Sequence, residues 1–390
     1  MKNPRDALRQ LAANGTLDEP QIAASLSTGL TGFLSRWESE ILSFIATGGA
    51  ELRFVEGPYG RGKTHFLQAL EVTARRAGFV TARVECGMQH KPFASLAETY
   101  RVIADAMSAP KDDERNGASH GVSKLLAHVS TAQLQAFKAA GRSNPGFHNL
   151  VDSYARRMKA GLIQDPATLS LGALLHHDTN RHVTFADLFQ RDRHLPRPLG
   201  RISKRNAAVW LRSLLTLPRQ LGFRGLVVMF DETGSDLHLR IEKLRPRQQH
   251  MANLRNLVDH LATGGTPGCA VIYATTNDFI QMARVDYPAM SQRVERLEMA
   301  ALFDLPRRNP RAIWCRLDEL TQPAPDEAKF YIELGGKLAA LAAEGRVSAK
   351  RIEAVRAGLP AAAKTASLNL EQGAVRSFIK RTASELLNST

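Results

Sequence analysis

The sequence predicts an α/β fold: a parallel sheet flanked by helices, followed by a helical C-terminal region. Three observations carry this expectation. A β-like segment at 52–56, a helical pattern at 62–76 and a second β-like segment at 79–85 follow one another directly. Such alternation implies parallel strands joined by helical crossovers. Two nearly all-apolar runs, 225–230 and 270–274, suit central strands buried on both faces. Beyond Pro306 the chain reads as helix to its end, with loops near 323–325 and 358–365.

The elements follow in order. Ala7, Leu8 and Leu11 share one face of an amphipathic segment that Asn14-Gly15 breaks. A second helical pattern covers 19–26. In a third, over 31–45, Phe33, Leu34, Trp37, Ile41, Leu42 and Ile45 recur at helical spacing until Gly48-Gly49 stops it. After the strand–helix–strand unit, the chain is helical or irregular from about 95 to 221, with polar breaks at 110–120 and 141–146. The strands then resume at 225–230 and, after a glycine-rich turn at 264–268, at 270–274. A weaker last strand is expected at 296–300. No internal repeat or long low-complexity linker is visible. The expected organisation is an N-terminal helical segment (1–50), a sheet domain (51–305) with a helical insertion at about 95–221, and a C-terminal helical region (306–390).

A chain of 390 residues can bury a sizeable core, and a hydrophobic content of 44% is ordinary for a globular protein. No stretch approaches the roughly 18 uninterrupted apolar residues of a membrane helix. The first twenty residues lack an apolar secretory core with a small-residue cleavage site. A cytoplasmic protein without membrane contact is expected. Cys86, Cys269 and Cys315 lie far apart with no metal-ligand spacing and read as buried thiols without disulfides. His176, His177, His182 and His194 cluster only loosely and have no zinc-site spacing. Lys and Arg total 52 against 38 Asp and Glu, a net +14, and the excess is uneven. Between Arg181 and Arg224 ten basic residues face only Asp187 and Asp192. Such a stretch attracts polyanions, DNA first among them, although a solvated surface would look the same.

The strongest chemical signal is Gly57-Pro58-Tyr59-Gly60-Arg61-Gly62-Lys63-Thr64, a complete phosphate loop between a β-like and a helical segment. Its glycines let the backbone curl so that successive N–H groups face phosphates, and the helix start adds its positive end. Lys63 is expected to reach the β- and γ-phosphates of ATP, and the Thr64 hydroxyl to ligate Mg²⁺. His65, directly behind, is included in the nucleotide-binding stretch but reads as a helix-face residue rather than a catalyst. The apolar run 226–230 ends in Asp231-Glu232. Asp231 suits a Mg²⁺ ligand, and Glu232 a general base that polarises the attacking water. The next apolar strand ends in Thr275-Thr276-Asn277-Asp278. Asn277-Asp278 could also simply cap the following helix.

In this order the motifs resemble the AAA+ superfamily of P-loop ATPases over most of the chain. The resemblance implies a nucleotide-binding domain at 51–305 and a helical lid at 306–390. It implies a sensor role for Asn277, with Thr276 as second choice, at the tip of the strand beside the acidic pair. It implies an arginine finger at Arg293, reaching the γ-phosphate of a neighbouring subunit, with Arg296 and Arg284 as competitors. Gln372-Gly373-Ala374-Val375-Arg376 resembles the start of the lid helix, whose Arg376 would fold over the nucleotide.

A closer likeness lies in longer strings. Residues 54–67, Trp210-Leu211-Arg212 leading into 221–232, the helix at 247–255 and Tyr287-Pro288-Ala289-Met290 look like the BREX ATP-binding proteins of the BrxD-like group. That resemblance implies an ATPase serving a bacterial anti-phage defence system, with defence-system partner proteins, acting on or signalling from DNA. Two departures stand out: Thr233-Gly234-Ser235-Asp236 follows Glu232 where Ala-Glu is expected, and 141–200 has no counterpart.

The leading expectation is a homo-oligomeric ATPase that couples hydrolysis to remodelling or loading on DNA. Arg240, Lys243, Arg245, Arg247 and Arg255 could face a channel or a DNA groove, or be the solvated face of a helix. The alternative is an ATP-gated assembly switch on DNA that recruits a partner, as AAA+ transposition regulators do. DNA-stimulated turnover separates the first from the second.

Overall fold

Side chains of successive strand residues point to opposite faces, so a strand covered on both sides feeds two cores at once. In the computed structural model, which describes residues 3–87, 91–110, 121–139, 144–231, 243–276, 279–296, 312–321, 327–369 and 373–388, the central strands do this. The sheet is built from β1 (Ala50–Glu56), β2 (Val80–Glu85), β3 (Met107–Ser108), β4 (Leu226–Asp231), β5 (Cys269–Thr275), β6 (Val294–Arg296) and β7 (Ala312–Arg316). Their order across it is β3-β2-β4-β5-β1-β7-β6. The described pairings are parallel except that of β3, which runs antiparallel to β2 at the edge. Leu226, Val228 and Phe230 of β4 and Val271 and Tyr273 of β5 enter one core; Val227, Met229, Ala270 and Ile272 enter the other. This double burial explains why both strands read as unbroken apolar runs.

The second core is closed by α3 (Thr31–Arg36), which continues through a π-helical turn (Trp37–Leu42) into α4 (Ser43–Ala46), and by α5 (Lys63–Arg76). Trp37, Ile41 and Ile45 supply that contact, as their helical spacing predicts. The first core is closed by the helices between β2 and β4: α6 (Leu96–Ala106), α7 (Val122–His128), α8 (Thr131–Ala139), α9 (Pro145–Lys159), α10 (Pro166–His176), α11 (Phe185–Arg191) and α12 (Ala207–Gln220). From the other end of the sheet come α13 (Leu244–Ala262), α14 (Phe279–Asp286) and α15 (Pro288–Ser291). His176 bridges Asp105 (2.6 Å) and Ser123 (2.7 Å), tying α6, α7 and α10 together.

The N-terminal helices α1 (Pro4–Asn14) and α2 (Pro20–Ser25) belong to a third core, shared with the C-terminal helices α17 (Ala328–Glu344), α18 (Ala349–Leu368) and α19 (Ala374–Leu387). Ala7, Leu8 and Leu11 pack there with Leu338, Leu341, Ala383 and Leu386.

Three local readings are corrected. Past Pro306 the chain is not all helix: β7 pairs with β1 from Arg53↔Ile313 to Glu56↔Arg316. Its five residues, set among arginines, are too short to show a period, and pairing with β1 decides their state. The loop expected at 358–365 is helix, because α18 runs through Pro360 and buries Leu359 and Ala363 in the C-terminal bundle. Cys86 is half-buried rather than buried, while Cys269 and Cys315 are buried free thiols whose pKa values burial raises, that of Cys315 to about 12. The weak strand expected at 296–300 appears as β6, earlier by a few residues; 297–300 lie outside the described residues.

Candidate functional site

The loop 57–62 leaves the C-terminal end of β1 and enters α5 at Lys63, with Gly62 as its N-cap. Gly60 (φ +78°) and Gly62 (φ +92°) occupy the left-handed region, where a side chain would strain the backbone. Gly60 has a second reason to be glycine: a Cβ there would lie 2.7 Å from the Cα of Gly373 at the start of α19. Lys63 is 2% exposed and spans the loop from beneath, its Nζ donating to the carbonyls of Gly57 (2.6 Å) and Pro58 (3.1 Å). The amine is therefore already held under the space the loop encloses. Thr64 is half-buried on the first turn of α5, Arg61 lies 4.0 Å from Asp318, and the Gly57 N–H donates to Thr275 O across the strand ends.

Asp231 closes β4 and is 3% exposed. Register puts it level with the loop: Asp231 pairs with Ala274 and Glu56 pairs with Thr275, so β4, β5 and β1 end together. Thr276 follows β5 and is half-buried. Glu232 and Asn277 lie outside the described residues.

Over the loop lies a cleft between the N-terminal and C-terminal helices. Tyr59 to His65 form one side, Leu17, Leu26 and Leu30 a second, and Phe330, Val375, Arg376 and Ile379 a third. Arg376 reaches the loop itself, its Nη1 donating to Tyr59 Oη at 2.8 Å with the guanidinium 5.1 Å from the ring centroid. A strap joins the C-terminal helices to α5 beside it. His65 Nε2 and Ser27 Oγ are hydrogen-bonded at 3.0 Å, while Lys337 of α17 donates to Ser27 O and, at 2.7 Å, to Glu333. Burial, reinforced by the Lys337 charge, lowers the His65 pKa to about 4, so the ring is neutral at pH 7. Sequence reasoning names Lys63, Thr64, Asp231 and Arg376 as candidates; Lys63, Thr64 and Arg376 line the cleft, and Asp231 lies at the matching strand end, two strands away. Sequence reasoning misses the apolar wall and the Ser27–Lys337 strap, because an amphipathic helix does not announce which groove it lines.

A phosphate loop, an acid at the end of the strand two places along the sheet and a cleft under helices suit ATP. The family model of the BREX system ATP-binding protein BrxC/D matches residues 20–176 and 199–388. The chain belongs to that family. No curated protein and no solved structure matches it. Family membership carries an ATP-binding role in phage defence, and the match passes through every described element of the cleft from α2 onward.

Other expected residues of this BREX ATP-binding protein lie elsewhere. Arg293 precedes β6, at the opposite strand end from the loop, since β6, β7 and β1 run parallel. It is not brought to the cleft of its own chain; its Nε instead donates to Asp259 of α13 at 2.8 Å. Arg284 is an exposed residue of α14 beside Gln281 (3.5 Å). Of the α13 cations, Arg247 pairs with Asp286 (3.1 Å) and Arg255 with Asp259 (3.4 Å), whereas Lys243 and Arg245 are exposed. Arg240 lies outside the described residues. No described helix is long and apolar enough to cross a membrane.

Proposed function

We propose that this family member is an AAA+ ATPase that binds ATP with Mg²⁺, hydrolyses it as a homo-oligomer, and works on DNA with defence-system partner proteins. The observation that carries this reading is the buried Lys63 held by the carbonyls of the phosphate loop, with Asp231 at the matching strand end and Arg376 hydrogen-bonded to Tyr59 of the loop. The central order β2-β4-β5-β1-β7, with the loop on β1 and the acid two strands away on β4, supports the AAA+ assignment.

On this reading the loop N–H groups and Lys63 hold the β- and γ-phosphates, the amine exchanging the Gly57 and Pro58 carbonyls for phosphate oxygens. Thr64 and Asp231 are hard oxygen donors, and two protein ligands beside substrate phosphates suit Mg²⁺, which keeps much of its water. When bound, the ion supplies charge neutralisation at the phosphates. Glu232 takes the proton from the attacking water, Asn277 orients that water, and Arg376 closes over the nucleotide. Leu17, Leu26 and Val375 offer the base an apolar slot. Arg293 acts in a neighbouring subunit, leaving Asp259 on assembly.

ATP turnover by wild type and Glu232→Gln, each with and without duplex DNA, tests the reading. DNA-stimulated hydrolysis that the substitution abolishes supports it. ATP binding with negligible turnover in every condition would favour the ATP-gated switch instead.

A further inference from the structure

The family match narrows the segment without counterpart from the expected 141–200 to 177–198, between α10 and α12, because 141–176 are matched. Its apolar residues face inward: Leu188, Leu195, Leu199 and Ile202 are buried in the core beneath the insertion. Its acids are largely consumed. Asp192 forms an ion pair with Arg157 of α9, and Asp178 accepts from the Asn180 N–H at 3.0 Å. What remains outward is mostly cationic: Arg181, Arg191, Arg193, Arg197, Arg201, Lys204 and Arg205 are all exposed, against the one exposed carboxylate of Asp187. Among the described residues none of them is in an ion pair, and Arg197 is braced by stacking 4.3 Å above the Phe189 ring. The two ends of the segment meet in space, because Arg181 and Arg201 line one hollow with His182, Ser203 and Asp178. Around α13 the cluster is smaller: Arg247 and Arg255 are already neutralised by carboxylates, which leaves Lys243 and Arg245 exposed.

We propose that residues 177–205 form a docking surface for the phosphate backbone of duplex DNA. The inference rests on the DNA association proposed above and assigns it to one surface. Unpaired arginines on a chain anchored from below contact a polyanion without first breaking internal ion pairs. Their contacts would be to phosphates, so binding should be sequence-independent and strongly salt-dependent. The surface lies in the insertion rather than in the cleft, so a protein altered there keeps its ATP site.

The test compares binding of a labelled DNA duplex by wild type, by R181Q/R193Q/R197Q/R201Q, and by K243Q/R245Q, across a series of salt concentrations. ATP binding is measured on each as a check of folding. The proposal expects the four-arginine variant to bind ATP normally and DNA at least about tenfold more weakly. Its salt slope should flatten by about 0.9 for each phosphate that is no longer neutralised. The α13 variant should resemble wild type. Wild-type DNA affinity in the four-arginine variant would overturn the surface while leaving DNA association standing. Failure of wild type itself to bind DNA would remove the DNA reading and this inference together. Equal affinity of wild type for duplex RNA would overturn the choice of DNA.

Discussion

Lys63 is buried at the start of α5, with its amine turned back into the phosphate loop. A lysine that is 2% exposed needs acceptors, and here the loop's own carbonyls provide them until phosphate does. Arg376 is its counterpart from above, held by Tyr59 rather than left to solvent. Replacing Arg376 by Ala removes one charge-assisted hydrogen bond, about 1.5–3 kcal/mol, so ATP affinity should fall at least about tenfold. Equilibrium titration with a fluorescent ATP analogue checks this, and an unchanged affinity would mean that Arg376 serves only Tyr59. Both residues are legible in the sequence, Lys63 from its motif and Arg376 from the string before it. The Ser27–His65–Lys337 strap is not, because Ser27 lies 38 positions from His65 and 310 from Lys337, and neither Ser27 nor Lys337 belongs to a motif.

At the scale of elements, legibility follows periodicity and burial. The strands β4 and β5 are evident because both faces are covered, and α3 to α4 because Trp37, Ile41 and Ile45 keep a helical stripe. β7 is hidden: five residues owe their state to pairing with β1. Helix α18 hides behind Gly358 and Pro360, whose cost is offset by burial of Leu359 and Ala363. The N-terminal helices carry too generic a pattern to reveal that they complete the C-terminal bundle. Leu8 is 0% exposed within that shared core, and Leu8→Ala should destabilise the protein by about 2–5 kcal/mol. Denaturant unfolding measures it, and a loss below that range would mean that α1 packs loosely. Gly225 makes a second test, since at φ +151° a Cβ would lie 2.4 Å from Gly268 O. Gly225→Ala should lower the Tm through about 1–3 kcal/mol of backbone strain, and an unchanged Tm would contradict the close approach.

In the whole molecule the phosphate loop is enclosed by distant parts of one chain, with helices from both termini forming the walls of its cleft. Arg293 stands at the far strand end, so any service to catalysis must be given to another copy. In the assembled protein, Arg293→Ala should cut turnover by about 10³-fold or more with ATP affinity preserved. Steady-state rates at saturating ATP decide this, and wild-type turnover would leave Arg293 only its pairing with Asp259. That ATP is held over Lys63 in this cleft is tested by calorimetric titration of ATP with Mg²⁺ into wild type and Lys63→Ala. One ATP should bind per wild-type chain, and binding should be at least about a hundredfold weaker in the variant, through removal of two charge-assisted hydrogen bonds. Equal affinity in the two proteins would contradict it and place the nucleotide elsewhere.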